Sequence, residues 1–226
     1  MKGTPRILVW DWPLRLFHVG LALAFGGAYL LGDSERWRNV HVALGYAALA
    51  LLGFRLLWGV AGTRHARFAS FLYTPRQAYT YLVGLVRGRS RHYTGHNPAG
   101  SWAVYAMLLL GLATGFSGWM RYEELGGDRL EALHELFANA WLGLVGLHVV
   151  AVIASSVLHR ENLVLAMITG YKRGPAAESA GRAHAWLGLA LVAAIAAVVA
   201  LALAAPAGTV DASAAAVASR AAIDQD

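Results

Sequence analysis

Long apolar runs dominate the hydropathy pattern of this chain, and short polar segments separate them. Five runs are long enough to cross a bilayer: residues 14–31, 40–60, 102–119, 133–158 and 183–205. Each is near or above the roughly 18–20 residues that span a hydrocarbon core about 30 Å thick. Since no strand-length alternation with turn signals is present that would close a barrel, the pattern predicts five membrane-spanning α-helices.

The composition supports a membrane protein and excludes several kinds of site. Hydrophobic residues make up 58% of the chain and charged residues only 14%, with a mean hydropathy of +0.48, which is outside the range of ordinary soluble domains. The absence of cysteine excludes disulfides, thiolate-held iron–sulfur clusters and covalently attached c-type haem. No glycine-rich phosphate motif stands in a strand–turn–helix context, so no nucleotide or flavin domain is expected.

Positive charge is distributed unevenly between the two sides of the predicted bundle. Thirteen Lys and Arg residues lie on the side of the N-terminus, in segments 1–15, 61–101 and 159–182, and five lie on the other side. The positive-inside rule therefore predicts a cytoplasmic N-terminus and a periplasmic C-terminus. These loops account for the net charge of +6, so binding of nucleic acid is not expected. The alanine-rich residues 206–226 are predicted to be a disordered periplasmic tail.

Four histidines lie within or at the edge of the apolar runs, and their spacing predicts two sites at two depths. His134 and His148 are fourteen residues apart in one run, which is nearly four whole turns and about 21 Å of helix, so both imidazoles leave the same face. In the predicted topology His41 begins the second helix at the outer surface, and His18 lies near the inner end of the first. Depth therefore pairs His41 with His134 and His18 with His148.

Two histidine pairs matched in depth indicate bis-histidine haem ligation, because ionisable groups inside a membrane are costly and usually functional. A single membrane histidine is more often a helix–helix hydrogen bond or an interfacial group. Zinc is a weaker alternative, since it needs further ligands and no carboxylate or thiolate lies at matching depth. We therefore expect two non-covalent haem b groups, with His18 and His148 on the inner iron and His41 and His134 on the outer iron.

Two arginines have two interpretations each. Arg55 lies fourteen residues after His41, on the same face and at the inner depth. Its guanidinium would pair there with haem propionates or extend to the inner headgroups. Arg15 has the same two interpretations.

Three further histidines and a loop helix complete the candidates. His159 shares the face of His148 and competes as the inner ligand, whereas loop or capping roles are predicted for His92 and His96, since nearby Gly and Pro disfavour a helix. A helix is predicted after Thr74, with proline at its first position. It is expected to lie in the inner headgroup layer as an anchor or at the edge of a quinone pocket. A G-x-x-x-G pattern at positions 111–115 predicts a close helix contact.

Several separated motifs resemble those of the bacterial cytochrome b561 family, which includes the b-type subunits of nickel–iron hydrogenases. They occur in order within residues 8–173: VWDWPLRLFH, HVALGYAALALLGFRLLWG, HYTGHNP, ALHELFANAWLGLVGLHVV and HRENLVLAMITGYKR. The resemblance implies a four-helix dihaem domain over residues 8–173, located in the bacterial inner membrane, which passes electrons between the quinone pool and a redox partner. It also implies that the ligands are His18, His41, His134 and His148. The fifth helix at 183–205 departs from this pattern and inherits no role.

The expected fold class is therefore an all-α integral membrane protein, with a four-helix dihaem bundle and a fifth, C-terminal transmembrane helix. The expected function is electron transfer across the membrane between quinone and a partner, either a periplasmic c-type cytochrome or a dehydrogenase or hydrogenase subunit. The sequence leaves open whether the chain is an electron carrier or a subunit of a quinol-linked oxidoreductase. It also leaves open a haem-containing anchor or sensor without a quinone reaction, and a proton or metal transporter without haem.

Overall fold

Five long helices form the body of the protein. The computed structural model describes residues 5–89, 91–125 and 127–204, and the predicted tail at 206–226 lies outside them. In chain order the elements are β1 (Arg6–Leu8), α1 (Trp12–Leu30), α2 (Arg38–Ala61), α3 (Pro75–Val86), α4 (Pro98–Tyr122), α5 (Gly127–Leu158), α6 (Leu163–Thr169), β2 (Tyr171–Arg173) and α7 (Ala185–Ala204). The helices α1, α2, α4, α5 and α7 are long and apolar enough to cross a membrane. They coincide with the five predicted runs to within a few residues, and the all-α prediction is confirmed.

The fifth long helix is part of the bundle. α1, α2 and α7 pack against one another, while α4 packs against α2, α3 and α5. Buried residues of the three helices form one hydrophobic cluster, which includes Phe17 of α1, Leu51 of α2 and Leu191 of α7. Gly188 permits the close approach of α7 to α1, because a Cβ there would lie 2.8 Å from Leu16 Cδ1. α7 therefore covers the side of α1 and α2 with an apolar helix.

Asp11 connects the start of α1 to the end of α2. Its carboxylate is fully buried and accepts hydrogen bonds from the Leu14 N–H (2.9 Å), the Trp58 indole N–H (3.1 Å) and the Thr63 hydroxyl (2.7 Å). The first bond is the N-cap of α1, which satisfies one of the free N–H groups of the first turn. One acidic side chain thus fixes the position at which α1 enters the bundle.

Replacing Asp11 with Ala is expected to lower the free energy of unfolding by roughly 3 kcal/mol, because the helix cap is lost and two buried donors are left without a partner. Thermal unfolding of the purified protein in detergent would measure this. Asp33→Ala is the matched control, since Asp33 is exposed. Equal destabilisation by the two substitutions would contradict the assignment.

A short antiparallel strand pair joins the start of the chain to the segment that follows α6. Arg6 pairs with Arg173 and Leu8 with Tyr171, and the N–H groups of Val9 and Trp10 donate to the Gly170 carbonyl at 2.8 and 3.1 Å. Gly170 has φ 87°, and a Cβ there would lie 2.6 Å from the Trp10 carbonyl oxygen, so only glycine fits this position. The sequence analysis did not predict this pair, since three-residue strands are too short to show alternation.

An ion-pair cluster closes the same side of the molecule. Lys172 is buried, and its ammonium group lies 3.1 Å from the Glu161 carboxylate and donates to the Tyr93 and Thr94 carbonyls. The His92 ring lies 3.0 Å from the same carboxylate. Burial opposes ionisation of Glu161, but His92 and Lys172 hold its pKa below the usual value. The cluster therefore fastens the loop before α4 to the turn between α5 and α6.

Glu161→Gln is expected to destabilise the protein by roughly 1–3 kcal/mol at pH 7, because Lys172 loses its buried counterion. The pKa of Glu161 is lowered on folding, so its contribution is complete above the ordinary carboxyl pKa of 4.5 and is lost as the pH falls further. The difference in unfolding temperature between wild type and Glu161→Gln should therefore shrink from pH 7 to pH 4. Glu135→Gln, at an exposed position, should show no such difference, and a gap that is constant with pH would contradict the prediction.

Candidate functional site

The structure brings the four candidate histidines together in two pairs. The ring centroids of His18 in α1 and His148 in α5 are 6.4 Å apart, and those of His41 in α2 and His134 in α5 are 6.1 Å apart. We call these the inner pair and the outer pair, after the predicted topology. α5 contributes one histidine to each pair. The second histidine comes from α1 in the inner pair and from α2 in the outer pair, as the predicted depths require.

Backbone carbonyls orient both rings of the outer pair. Nδ1 of His41 lies 2.8 Å from the Ala28 carbonyl oxygen, and Nδ1 of His134 lies 2.9 Å from that of Thr114. A carbonyl only accepts, so each Nδ1 carries the proton and each Nε2 keeps its lone pair. Metal-bound histidines commonly donate their second ring N–H in this way. Among the described residues, neither ring of the inner pair has such a partner.

Glycine provides the space for the outer pair. A Cβ at Gly118 in α4 would lie 2.7 Å from Cε1 and 3.0 Å from Nδ1 of His134. At Gly45, one turn after His41, a Cβ would meet nothing within 4 Å. One glycine thus makes room for the imidazole of His134, while the other leaves open space on the face of α2 that carries His41.

An aromatic layer separates the two pairs. Trp141 lies seven residues from both His134 and His148 on α5, and its indole is 3% exposed. The centroids of Trp141 and Phe25 are 4.1 Å apart. Gly111 accommodates the indole, because a Cβ there would lie 2.7 Å from Trp141 Cζ2. The sequence analysis assigned no role to Trp141, although its seven-residue spacing puts it on the face that carries both histidines.

The two arginines have different surroundings. Arg55 is 2% exposed, and neither Nη1 nor Nη2 has a hydrogen-bond partner within the part of the chain that the structure describes. Its guanidinium lies over the Phe68 ring, 4.6 Å from the centroid. Arg15 instead donates to the Ile168 carbonyl and lies 4.3 Å from the Trp12 ring centroid. Arg55 therefore has two buried donors available to an anion inside the bundle, whereas Arg15 has a backbone partner for Nη2 and one buried donor, Nε, without a partner in the described residues.

His159 and His184 have aromatic neighbours outside the two pairs. The ring of His159 is 5.5 Å from that of His92, so the structure does not bring the competing inner ligand to His18. The ring of His184, at the start of α7, is 5.5 Å from Trp58.

His96 lies in the loop before α4, as predicted, but aromatic rings enclose it. Its centroid is 5.0 Å from that of Trp10 and 4.2 Å from that of Phe71. Burial, together with the positive charge of Arg55, lowers the pKa of His96 to about 3. The ring is therefore neutral at physiological pH and packs as an aromatic group.

Comparison with known families identifies the bundle. The family model of prokaryotic cytochrome b561 matches residues 9–170, which cover both histidine pairs and the aromatic layer between them. The chain belongs to the prokaryotic cytochrome b561 family. It is thus a multi-pass bacterial membrane protein of a b-type cytochrome family, with electron transfer through haem b as the family's chemistry.

Three relatives of this b561-family chain are each named "Probable Ni/Fe-hydrogenase B-type cytochrome subunit". The protein of Rhodobacter capsulatus is 25% identical over 162 residues, which cover 60% of this chain and 62% of the relative, less than two thirds of its length. The protein of Cupriavidus necator is 24% identical over 218 residues, covering 76% of this chain and 88% of the relative. That of Azotobacter vinelandii is 26% identical over 225 residues, covering 76% and 90%. No solved structure matches the chain significantly.

The residues of both pairs fit the haem b of the b561 family. An iron–imidazole bond is about 2 Å long and a ring nitrogen lies about 1 Å from its centroid, so two imidazoles on one iron have centroids about 6 Å apart. The measured 6.1 and 6.4 Å agree with this value. In the described ranges, no group of three or more His, Asp or Glu side chains is arranged to hold a metal ion.

Proposed function

We propose that this protein transfers electrons across the bacterial inner membrane through two bis-histidine b-type haems, between the quinone pool and a redox partner. The observation that carries the proposal is the pair of imidazole pairs at two levels of one bundle, 6.4 and 6.1 Å between centroids. Bound haem b supplies one-electron exchange between ferric and ferrous iron. The protein supplies ligation, orientation and apolar surroundings.

Each group in the bundle has a role in this proposal. His18 and His148 are the ligands of the inner iron, and His41 and His134 those of the outer iron. Arg55 would neutralise a haem propionate, since its two buried Nη groups have no partner in the described residues, and a charged hydrogen bond to a carboxylate would stabilise both groups. Trp141 and Phe25 would keep water out of the layer between the two levels.

The proposed orientation of the bundle in the membrane rests on the distribution of its positive charge. With thirteen of its Lys and Arg residues on the side of the N-terminus, the chain is proposed to have a cytoplasmic N-terminus and a periplasmic C-terminus. The inner pair then lies near the cytoplasm and the outer pair near the periplasm. Residues 8–173 are proposed as the dihaem domain, and α7 as an addition to it.

The partner is proposed to be a nickel–iron hydrogenase subunit. This rests on the names of the relatives, each of which is called a hydrogenase b-type cytochrome subunit. A c-type cytochrome is the second candidate for the same role, and quinone is proposed as the reactant in the membrane.

Haem quantification of the purified protein, combined with a reduced-minus-oxidised spectrum and a quinol-reduction assay, tests the proposal. Two haem b per chain that are both reduced by quinol is the expected result. One haem per chain would favour a sensor or anchor, two haems without reduction by quinol would favour an anchor, and the absence of a Soret band would favour a transporter.

The outer haem is expected to have the lower midpoint potential. Both outer imidazoles donate Nδ1–H to a carbonyl, which makes them more basic ligands and stabilises the ferric state. The buried cation of Arg55 is expected at the inner level, where it would stabilise the reduced state. Potentiometric titration of His148→Ala and His134→Ala, which should retain only the outer and only the inner haem, would measure both values. With the expected order, electron transfer from the outer haem to the inner haem is thermodynamically favourable. Equal potentials or the reverse order would contradict the prediction.

A further inference from the structure

The loop between α2 and α4 carries an uncompensated positive charge. Residues 61–101 contain six arginines and no Asp or Glu. Three of these arginines, Arg76, Arg89 and Arg91, line one cavity of about 340 Å³. In the described residues, none of the three forms an ion pair with a carboxylate. The cavity therefore concentrates positive charge that the rest of the described chain does not neutralise.

Ordered neighbours form the wall of this cavity. Tyr81 is 8% exposed, and its ring lies edge-on to that of Tyr93 with centroids 5.8 Å apart; both residues line the cavity. A capping box fixes the start of α3, in which the Thr74 hydroxyl accepts from the Gln77 N–H and the Gln77 side chain accepts from the Thr74 N–H. Three arginines and two tyrosines thus line a space beside a capped helix.

The other face of α3 is apolar and exposed. Tyr79, Leu82 and Val86 are 70%, 49% and 89% exposed, and their spacing puts them on one face, roughly opposite the residues of α3 that line the cavity. An amphipathic helix of this kind lies in the membrane interface with its apolar face at the acyl boundary. Its polar face then stands at the level of the lipid phosphates. α3 also packs against the long apolar helix α4.

We infer that the cavity of Arg76, Arg89 and Arg91 binds the phosphate of an anionic phospholipid headgroup. Arginine suits this ligand because its planar group donates two parallel hydrogen bonds to phosphate oxygens. Basic pockets beside transmembrane helices on the cytoplasmic side are sites for anionic headgroups. The bound lipid would hold α3 and the arginine-rich loop against the bundle. This inference is independent of the proposed electron transfer.

Native mass spectrometry of the delipidated protein tests the inference, with separate titrations of phosphatidylglycerol, phosphatidylcholine, inorganic phosphate and a polyglutamate peptide. Saturable binding of phosphatidylglycerol, at least about tenfold tighter than that of phosphatidylcholine, is expected. Arg76→Gln should weaken it about fivefold, the contribution of one arginine near a charged lipid surface. Arg87→Gln is the matched control, because Arg87 ends the same helix, is exposed and does not line the cavity. The far-UV circular dichroism spectrum and the unfolding temperature of each variant report that the bundle is intact.

Three outcomes would overturn the inference. Equal weakening by Arg76→Gln and Arg87→Gln would mean that the whole basic surface attracts lipid without a site. Saturable binding of inorganic phosphate without a preference for phosphatidylglycerol would assign the cavity to a free anion. Tighter binding of a polyglutamate peptide than of phosphatidylglycerol would assign it to an acidic polypeptide.

Discussion

Replacing His148 with Ala is expected to leave one haem b per chain instead of two. The inner iron would keep only His18, because the ring that faces it at 6.4 Å is removed. The outer pair should be unaffected, since His134 is fourteen residues away on α5 and the Thr114 carbonyl orients it. The haem-to-protein ratio, measured by the pyridine haemochrome method, should fall by half. The α-band of the remaining haem should keep the position that it has in the wild type.

His159→Ala is the control for this substitution. It removes a histidine that shares the helical face of His148 but lies against His92, so both haems should be retained. If His148→Ala retained two haems, the inner ligand would be His159 or His184, and the proposed pairing would be wrong. If His159→Ala lost a haem while His148→Ala retained both, His159 would be the inner ligand.

The second large effect is expected from Gly118→Val. A side chain there would collide with the His134 ring, 2.7 Å from Cε1, and would move it away from the Thr114 carbonyl and from His41. Overpacking of this kind costs about 1–3 kcal/mol, which corresponds to roughly 5- to 150-fold in haem affinity. Titration of the purified variant with haem should therefore show one site of native affinity and one weakened site.

Gly143→Val provides the matched comparison for Gly118→Val. Both substitutions place the same β-branched residue in a long helix, with the same intrinsic helix penalty. A Cβ at Gly143 meets nothing within 4 Å, so this variant should bind both haems with native affinity. Equal weakening in the two variants would show that the helix penalty, and not the contact with His134, is responsible.

The helix positions and the pairing geometry follow from periodicity. His134 and His148 share a face because fourteen residues are nearly four turns, and the depths of His18 and His41 follow from the order of the helices. The structure brings the same partners together, with the two rings tilted in the inner pair and edge-on in the outer pair. Trp141 lies seven residues from each of these histidines, so its place on the same helical face was predictable. Its contact with Phe25 was not, because an indole in a membrane helix can pack against any apolar neighbour.

The orientation of the outer rings was not predictable. The groups that orient His41 and His134 are the carbonyls of Ala28 and Thr114, and every residue has a carbonyl, so no side-chain pattern marks these two. No sequence pattern marks Gly118 either, because its role depends on which helix packs against α5 and on which residues then lie opposite each other.

The buried contacts at the N-terminal side also depend on tertiary structure. Asp11 caps α1 in the structure, a role that its place directly before Trp-Pro is compatible with. Its bonds to Trp58 and Thr63 cross between helices, where local pattern carries no information. The ion pair of Lys172 with Glu161 depends in the same way on how the turn between α5 and α6 folds back.

The pairing of β1 with β2 imposes an order on biosynthesis. β1 is made first, but its partner follows the fourth long helix, and chains are elongated at about 5–20 residues per second. The start of the chain therefore waits roughly 10–30 s before Gly170 emerges to accept the N–H groups of Val9 and Trp10. Until then the bonds of Asp11 to Trp58 and Thr63 are the side-chain contacts available to hold this end of α1 against α2. The strand pair therefore forms only after all four proposed haem ligands have been synthesised, since His148 precedes Gly170 in the chain.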